Sequence, residues 1–180
     1  MSAIPSDWKD RILAAHERIR SIVLETPVVS PGPRTRAIPP LVKFKLENQQ
    51  RAGSFKFRGA TNSLSLLTPE QARLGVLTSS TGNHGLAVAT AARTLGIRAE
   101  VYVSPQVSAP KLQAIRDSGA EVQVVGSNPL DAELTARATA RETGRLYLSP
   151  YNDPNVIAGQ GTVAVELYSQ LDRIDAVFVA

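Results

Sequence analysis

The stretch "GVLTSSTGNHGLAVATAARTLGIRAEVYVS", Gly75 to Ser104, decides the fold. Two short apolar runs, GVLTS and AEVYVS, lie on either side of an alanine-rich segment that ends at Gly96. This pattern predicts a strand, a helix and a second strand. Two strands joined by a helical crossover run parallel, and parallel sheets are covered by helices on both faces. The stretch therefore predicts an α/β protein with a parallel sheet.

The same alternation continues along the rest of the chain. Downstream, the sequence predicts helices at 109–119, 129–144 and 154–171 and strands at 120–126, 145–149 and 175–180. Upstream, it predicts a helix at 6–24 with Ser6 as its N-cap, followed by an irregular proline-rich connection at 26–40. A half-buried strand is predicted at 41–47, then a helix that opens at Ser54 and a short helix after "TPE". Glycines at 96, 119 and 144 stand where helices need a left-handed cap.

The composition excludes several classes of protein. The chain has 180 residues, 43% of them hydrophobic, which suffices for a sizeable core, and no cysteine, so disulfides and thiolate metal sites are ruled out. No apolar run approaches the ~20 residues that span a bilayer, and the N-terminus lacks the apolar core of a signal peptide. The net charge of +4 comes from scattered arginines rather than a basic stripe. We expect a cytoplasmic protein that binds neither membranes nor nucleic acid.

The loop "SSTGNHG", which joins the strand at 75–79 to the next helix, is the first candidate site. The hydroxyls of Ser80 and Thr81, the Asn83 amide and free N–H groups at a helix N-terminus can bind an anion. An ordinary capped helix start explains the same residues equally well. His84 could act as a base, but a hydrogen-bonded histidine that shapes the loop is the favoured interpretation.

A lysine stands between two phenylalanines in "GSFKFRGA", residues 53–60. If Ser54 is the N-cap, Lys56 lies in the first helical turn, where the helix dipole disfavours an ammonium group. Phe55 and Phe57 exclude water and so penalise the same charged form. Both effects favour a neutral amine able to form a Schiff base, although an exposed lysine between buried phenylalanines is an equal alternative. The other four lysines fit exposed helix faces or the polar side of a strand: Lys9, Lys43, Lys45 and Lys111.

The segment "SPYNDPNVIAGQGT", residues 149–162, also follows a strand and opens a helix. Tyr151 and Asn152 could supply hydrogen bonds to the same cleft, but a proline-rich turn before a capped helix is slightly favoured. No pair of histidines or carboxylates has the spacing of a metal site, and no G-x-G-x-x-G joins a strand to a helix. The sequence thus predicts no metal site and no dinucleotide site.

Four motifs, in this order, resemble the fold-type II pyridoxal-phosphate enzymes, in the branch of the threonine/serine dehydratases and serine racemase. They are "KLENQQRAGSFKFRGATNSL" (45–64), "SSTGNHGLAVATAARTLGI" (79–97), "SGAEVQVVG" (118–126) and "SPYNDPNVIAGQGTVAVEL" (149–167). The resemblance implies that Lys56 holds pyridoxal 5′-phosphate as a Schiff base, that Phe55 packs against the pyridine ring and that Asn83 bonds the cofactor's 3′-oxygen. It also implies that the substrate carboxylate is held by the loop residues Ser80, Thr81, Asn83 and His84.

The resemblance also predicts an architecture. It implies the three-layer, parallel-sheet fold of the tryptophan synthase β-like enzymes, with the chain stopping before the glycine-rich phosphate loop that follows "DAVFVA" in the family. We accordingly expect the N-terminal part of the large domain with the cofactor lysine at 1–70, a small mobile domain at 71–148 and a return into the large domain at 149–180. A homodimer is implied for the full-length protein.

The activity implied by the resemblance is that of a dehydratase. Such a lyase converts L-threonine, L-serine or a related 3-hydroxy amino acid into a 2-oxo acid and ammonia. Thr81 stands where the racemase-like pattern has a serine that protonates the face opposite the lysine, so racemase activity is an alternative. A non-catalytic fragment that needs a complementary half is a second alternative.

Overall fold

Seven α-helices and six short strands make up the part of the chain that the computed structural model describes, residues 7–32 and 41–179. The helices are α1 (Trp8–Ile19), α2 (Lys56–Leu64), α3 (Pro69–Leu74), α4 (Asn83–Leu95), α5 (Ala109–Asp117), α6 (Pro129–Thr143) and α7 (Pro154–Gln170). The strands are β1 (Val28–Val29), β2 (Phe44–Lys45), β3 (Val76–Ser79), β4 (Ala99–Val103), β5 (Glu121–Val124) and β6 (Leu146–Tyr147).

The main sheet has the strand order β5-β4-β3-β6, with every neighbouring pair parallel. Side chains alternate between its faces. Val76 and Val101 pack into the cluster that contains residues of α4 and α5, whereas Leu77 and Tyr102 pack against Ala136 of α6. The sheet is therefore covered on both faces, and the predicted three-layer α/β architecture is confirmed.

Glycines end two of the helices that cover this sheet. Gly96 and Gly144 adopt the left-handed conformation, with φ of 69° and 68°, directly after α4 and α6. A side chain is disfavoured in that region, so glycine lets each helix stop and the chain turn into the next strand. Gly119 also has a positive φ, 90°, directly after Ser118, the residue that caps α5, so the third predicted glycine is confirmed as well.

The remaining helices form a second group. Helix α2 packs against α7 and α4, and α1 packs against α7. Strands β1 and β2 make a separate antiparallel pair next to this group in sequence. The predicted division of the chain into domains at residues 70 and 148 stays a prediction.

Several predicted boundaries were wrong. The first helix ends at Ile19 instead of 24, because the Gln50 amide binds both the N–H and the C=O of Leu24 and draws that residue out of the helix. The strand predicted at 41–47 is reduced to β2, and its partner β1 lies in the connection predicted to be irregular. Ser6 and residues 33–40 lie outside the described residues.

Two further predictions about local structure were also wrong. Ser54 does not cap α2 with its side chain: its hydroxyl is buried without a hydrogen-bond partner among the described residues, and Phe55 precedes the helix. Residues 175–179 form no strand, and Phe178 is 95% exposed. A strand exists only where another strand accepts its hydrogen bonds, and no neighbour lies beside this segment in the described structure.

Candidate active site

The order of the strands opens a crevice beyond β3 and β6. The chain leaves β3 towards β4 and returns to β6 on the opposite side of β3, and ligands bind at such switch points in parallel sheets. The loops after the two strands meet there, since Thr78 Oγ1 donates a hydrogen bond of 2.9 Å to the carbonyl oxygen of Leu148. A cavity of about 440 Å³ lies at this point. Its lining includes Lys56, the loop 79–84, Ser104, Lys111, Glu133 and Tyr151.

The loop 79–84 presents the N-terminus of α4 to this cavity. Gly82 precedes the helix, and the Ser80 hydroxyl accepts a hydrogen bond of 3.2 Å from its N–H. The turn is tight, because a Cβ on Gly85 would come within 2.6 Å of the Ser80 carbonyl oxygen. The first N–H groups of a helix lack acceptors within the helix and carry partial positive charge. These residues can therefore hold a carboxylate.

The His84 imidazole is buried beneath this loop. Its Nε2 lies 3.3 Å from the Leu148 carbonyl oxygen, so Nε2 carries the proton and donates it, and Nδ1 is buried without a partner in the described structure. The pKa of His84 is lowered to about 4: burial has the largest effect, the hydrogen bond to Leu148 raises the pKa, and the nearby positive charge of Lys56 lowers it. The geometry favours a neutral histidine that joins the two loops. The His84 group available to a ligand is then its backbone N–H.

Lys56 opens helix α2 at the edge of the cavity. Its ammonium group lies 5.1 Å from the centroid of the Phe55 ring. Phe57, in contrast, is fully buried in the main hydrophobic core. Only one of the two phenylalanines predicted to exclude water from Lys56 contacts it: the Phe55 ring makes a cation–π contact with the ammonium group. The prediction was wrong for Phe57, whose side chain anchors the helix in the core.

A buried ionic cluster fixes the turn of α2 that carries Lys56. Arg58 is fully buried, and its guanidinium donates two hydrogen bonds of 2.8 Å to the Glu47 carboxylate. It also donates to both carboxylate oxygens of Glu166 in α7, which Lys45 contacts as well. Burial alone would raise the pKa of Glu166, but the hydrogen bonds from Arg58 and Lys45 lower it below its ordinary value. The cluster ties α2 to the segment before it and to α7.

Three polar residues that line the cavity were not predicted from the sequence. Lys111, assigned there to an exposed helix face, lines the cavity together with Ser104 and Glu133. Ser104 directly follows β4 at the carboxyl edge of the sheet, and that position alone could have identified it. Tyr151 lies at the cavity with 72% of its surface exposed, whereas Asn152 does not line it.

Within 7–32 and 41–179, no group of three or more histidine, aspartate or glutamate side chains could hold a metal ion. No helix in that part of the chain is long and apolar enough to cross a membrane.

Comparison with known proteins identifies the family. Residues 19–180 match the family described as "Pyridoxal-phosphate dependent enzyme". The chain belongs to this family. It is 38% identical over 170 residues to a serine racemase of Schizosaccharomyces pombe, covering 94% of this chain and 53% of that protein. It is also 38% identical over 168 residues to an L-threo-3-hydroxyaspartate ammonia-lyase of Saccharomyces cerevisiae. That alignment covers 93% of this chain and 52% of the yeast protein.

The solved structures of this pyridoxal-phosphate family agree with the fold. A maize serine racemase superimposes with a TM-score of 0.86 at 37% identity, covering 92% of this chain and 50% of that one. The chain therefore spans about half the length of the relatives that it matches.

The residues of the cavity fit the cofactor of the family, pyridoxal 5′-phosphate. An aldehyde needs a primary amine, and Lys56 supplies one at a cavity of about 440 Å³, at the low end of the ~300–1,000 Å³ typical of ligand pockets. The buried Ser104 hydroxyl, which has no partner in the described structure, offers a free donor in the same cavity.

Proposed function

We propose that this protein is a pyridoxal-phosphate-dependent dehydratase that converts a 3-hydroxy amino acid, such as L-serine or L-threonine, into a 2-oxo acid and ammonia. One observation carries the proposal: the Lys56 amine and the amide-rich N-terminus of α4 line the same cavity. The first can react with an aldehyde, and the second can hold a carboxylate. An amino-acid substrate needs both.

The chain's own residues have distinct roles in this proposal. Lys56 Nζ would hold the cofactor, Phe55 would support its ring and Asn83 would bind its 3′-oxygen. The N–H groups of the loop 80–84 and the hydroxyls of Ser80 and Thr81 bind the α-carboxylate and orient the Cα–H bond. The cofactor, when bound, supplies the electron sink for the carbanion.

With substrate in the cavity, Lys56 Nζ would remove the α-proton as a general base. The β-hydroxyl would then leave as water with the proton that Lys56 Nζ has taken up, and hydrolysis of the unsaturated product consumes one water and releases ammonia. The net products are one 2-oxo acid and one ammonia for each amino acid. His84, held neutral by burial, keeps the loop in place and takes no proton.

Reductive labelling tests this proposal directly. The protein is incubated with pyridoxal phosphate, reduced with borohydride and digested, and the labelled peptide is identified by mass spectrometry. We expect the label on Lys56, loss of the visible absorbance in Lys56→Ala and no change in Lys9→Ala, which removes a lysine from α1. A label on another lysine in the complete enzyme would refute the proposal.

Racemisation is a second candidate, favoured by one observation: Thr81 and Lys56 line the same cavity. A hydroxyl across the substrate from the amine can return a proton to the opposite face of Cα. If so, L-serine in deuterated water yields D-serine with deuterium at Cα, and Thr81→Ala abolishes this inversion while elimination continues. If the wild-type enzyme forms only the 2-oxo acid, racemisation is excluded and the dehydratase is the one candidate that remains.

A further inference from the structure

A second cavity, of about 290 Å³, lies between the C-terminal half of α6 and β6, the strand at the edge of the main sheet. We call this cavity the α6–β6 groove. Its described lining includes Arg137, Arg141 and Arg145 together with Ala140, Gly144 and Tyr147, and no acidic residue is among the described residues that line it. The proposed mechanism uses none of these residues. The groove therefore gathers three guanidinium groups for which the reaction has no role.

The positive charge of these three arginines is only partly compensated. Arg145 pairs with the Glu100 carboxylate at 2.7 Å, and its Nε has no acceptor among the described residues. Arg137 pairs with Glu133 of its own helix at 2.8 Å. Arg141 is exposed and forms no ion pair or hydrogen bond within residues 7–32 and 41–179. Three cations thus share one cavity with two carboxylates beside it, and one positive charge remains.

Stabilisation of the helix end explains only one of the three arginines. A cation in the last turn of a helix interacts favourably with the helix dipole, which would account for Arg141 and equally for Arg116 in the last turn of α5. Arg145 comes after α6 has ended. The guanidinium of Arg137 stacks on the Tyr147 ring, with its carbon 4.3 Å from the ring centroid. A stacked guanidinium is held in place and keeps its N–H groups available at its edge.

We propose that the α6–β6 groove binds a small ligand that carries a phosphate group. A phosphate group has three acceptor oxygens and close to two negative charges at neutral pH, so several arginines can bind it at once. A single arginine already satisfies a carboxylate through two parallel hydrogen bonds. The volume of the groove is at the low end of the ~300–1,000 Å³ typical of ligand pockets, which leaves room for a small organic part beside the phosphate. The proposal does not depend on the reaction proposed above.

One ion pair connects this groove to the catalytic cavity. Arg137 lines the groove, and its partner Glu133 lines the catalytic cavity. A phosphate that binds Arg137 competes with the Glu133 carboxylate for the same guanidinium. Because such coupling is reciprocal, removing the charge of Glu133 must strengthen phosphate binding in the groove. A ligand of the groove accordingly changes the charge in the catalytic cavity.

Calorimetric titration of the full chain with inorganic phosphate, at constant pH and ionic strength, tests the groove. We expect Arg141→Gln to weaken binding about tenfold, through loss of a charge-assisted hydrogen bond. Arg116→Gln removes the same charge from the same position in α5 and should bind as wild type does. Lys111→Gln, in the catalytic cavity, should also leave the affinity unchanged. Glu133→Gln should bind phosphate more tightly than wild type, because it frees Arg137.

Two further ligands define the chemical class. Glycerol 2-phosphate separates the two sources of the phosphate group: tighter binding than inorganic phosphate identifies an organic ester as the ligand, and weaker binding identifies the free ion. Succinate carries two carboxylates and should bind less tightly than phosphate. Succinate that binds as tightly would overturn the assignment to phosphate.

Four other results would overturn the proposal. The first is a wild-type chain that shows no saturable binding of phosphate. The second is an equal loss of affinity in Arg141→Gln and Arg116→Gln, since net charge alone would then explain the binding. The third is a loss in Lys111→Gln but not in Arg141→Gln, which would place the phosphate in the catalytic cavity. The fourth is an unchanged affinity in Glu133→Gln, which would remove the connection between the two cavities. None of these results affects the labelling of Lys56, so the groove and the proposed function fail independently.

Discussion

His84 illustrates how one buried side chain affects both the loop and the stability of the protein. Its folded-state pKa of about 4 lies below the ordinary value of 6.5, so the folded protein favours the neutral ring. Between these two pH values the unfolded chain binds a proton that the folded chain does not. The stabilisation from this residue is therefore complete above pH 6.5 and is lost progressively as the pH falls towards 4, by about 3 kcal/mol in total.

Replacing His84 with glutamine should reduce this pH dependence. The glutamine amide keeps a donor for the Leu148 carbonyl oxygen but does not titrate. Urea unfolding at a series of pH values from 7.5 to 4.5 measures the effect, with His16→Gln as the control because the chain has only two histidines. We expect the loss of stability at low pH to be shallower in His84→Gln than in His16→Gln. Parallel profiles for all three proteins would contradict the assignment.

Arg58 is the residue whose loss should destabilise the protein most. Without it, the carboxylates of Glu47 and Glu166 share a buried site with only Lys45 to compensate Glu166. Arg58→Met should lower the free energy of unfolding by about 3–5 kcal/mol, because breaking a buried ion pair leaves a charge without its partner.

A surface pair provides the matched control for Arg58. Arg98 makes an equally regular two-bond contact with Glu121, but both side chains are more than half exposed. Arg98→Met should unfold near the wild-type midpoint, since water replaces the partner. Equal losses in the two variants, measured by urea unfolding, would mean that burial of the Arg58 cluster is not what makes it stabilising.

Among the elements, the crossing of α2 and α7 depends on small residues. A Cβ on Gly159 of α7 would lie 2.6 Å from the carbonyl oxygen of Arg58 and 2.6 Å from the Cα of Gly59. The backbones of the two helices are therefore in direct contact one turn from Lys56. This close contact positions the start of α2 against a helix that is nearly 100 residues later in the sequence.

Gly159→Ala should force the two helices apart. Because the obstructing atoms belong to the backbone, the methyl group cannot be accommodated by a side-chain rotation, and we expect a loss of about 1–3 kcal/mol. Thermal unfolding of the variant measures this loss of stability. Gly32→Ala is the control, since a Cβ there meets nothing within 4 Å. A Gly159→Ala protein as stable as wild type would show that the helices separate without cost.

The elements that sequence predicted well are those specified by neighbouring residues. Apolar runs defined β3 and β4, and Gly96 and Gly144 marked the ends of α4 and α6. The elements it missed depend on distant partners. Strand β1 exists because β2 pairs with it across the chain, and Leu24 leaves the helix because Gln50 binds it. A local pattern contains no information about such partners.

In the whole molecule, some residues of the site could be predicted from their neighbours in sequence, whereas others depend on distant parts of the chain. The loop 79–84 and Lys56 were found from sequence, because each combines unusual residues over a few positions. Ser104 and Lys111 are ordinary residues locally, and only the parallel order of the sheet brings them to the same cavity. The Arg58 cluster was likewise invisible, because Glu47 and Glu166 are 11 and 108 residues away from Arg58.

Three consecutive apolar residues near the end of the described structure are exposed. Val177, Phe178 and Val179 are 60%, 95% and 79% exposed, and they pair with no strand of the described structure. Unpaired apolar segments associate with one another, so we expect a polypeptide of these 180 residues alone to self-associate through this segment. Phe178→Asp should shift the sedimentation profile towards monomer, because like charges would then face each other. Leu41→Asp, at a residue that is 90% exposed in a separate part of the chain, is the control and should sediment as wild type. If both variants sediment as wild type does, association does not involve this segment; if both become monomeric, net charge alone controls it.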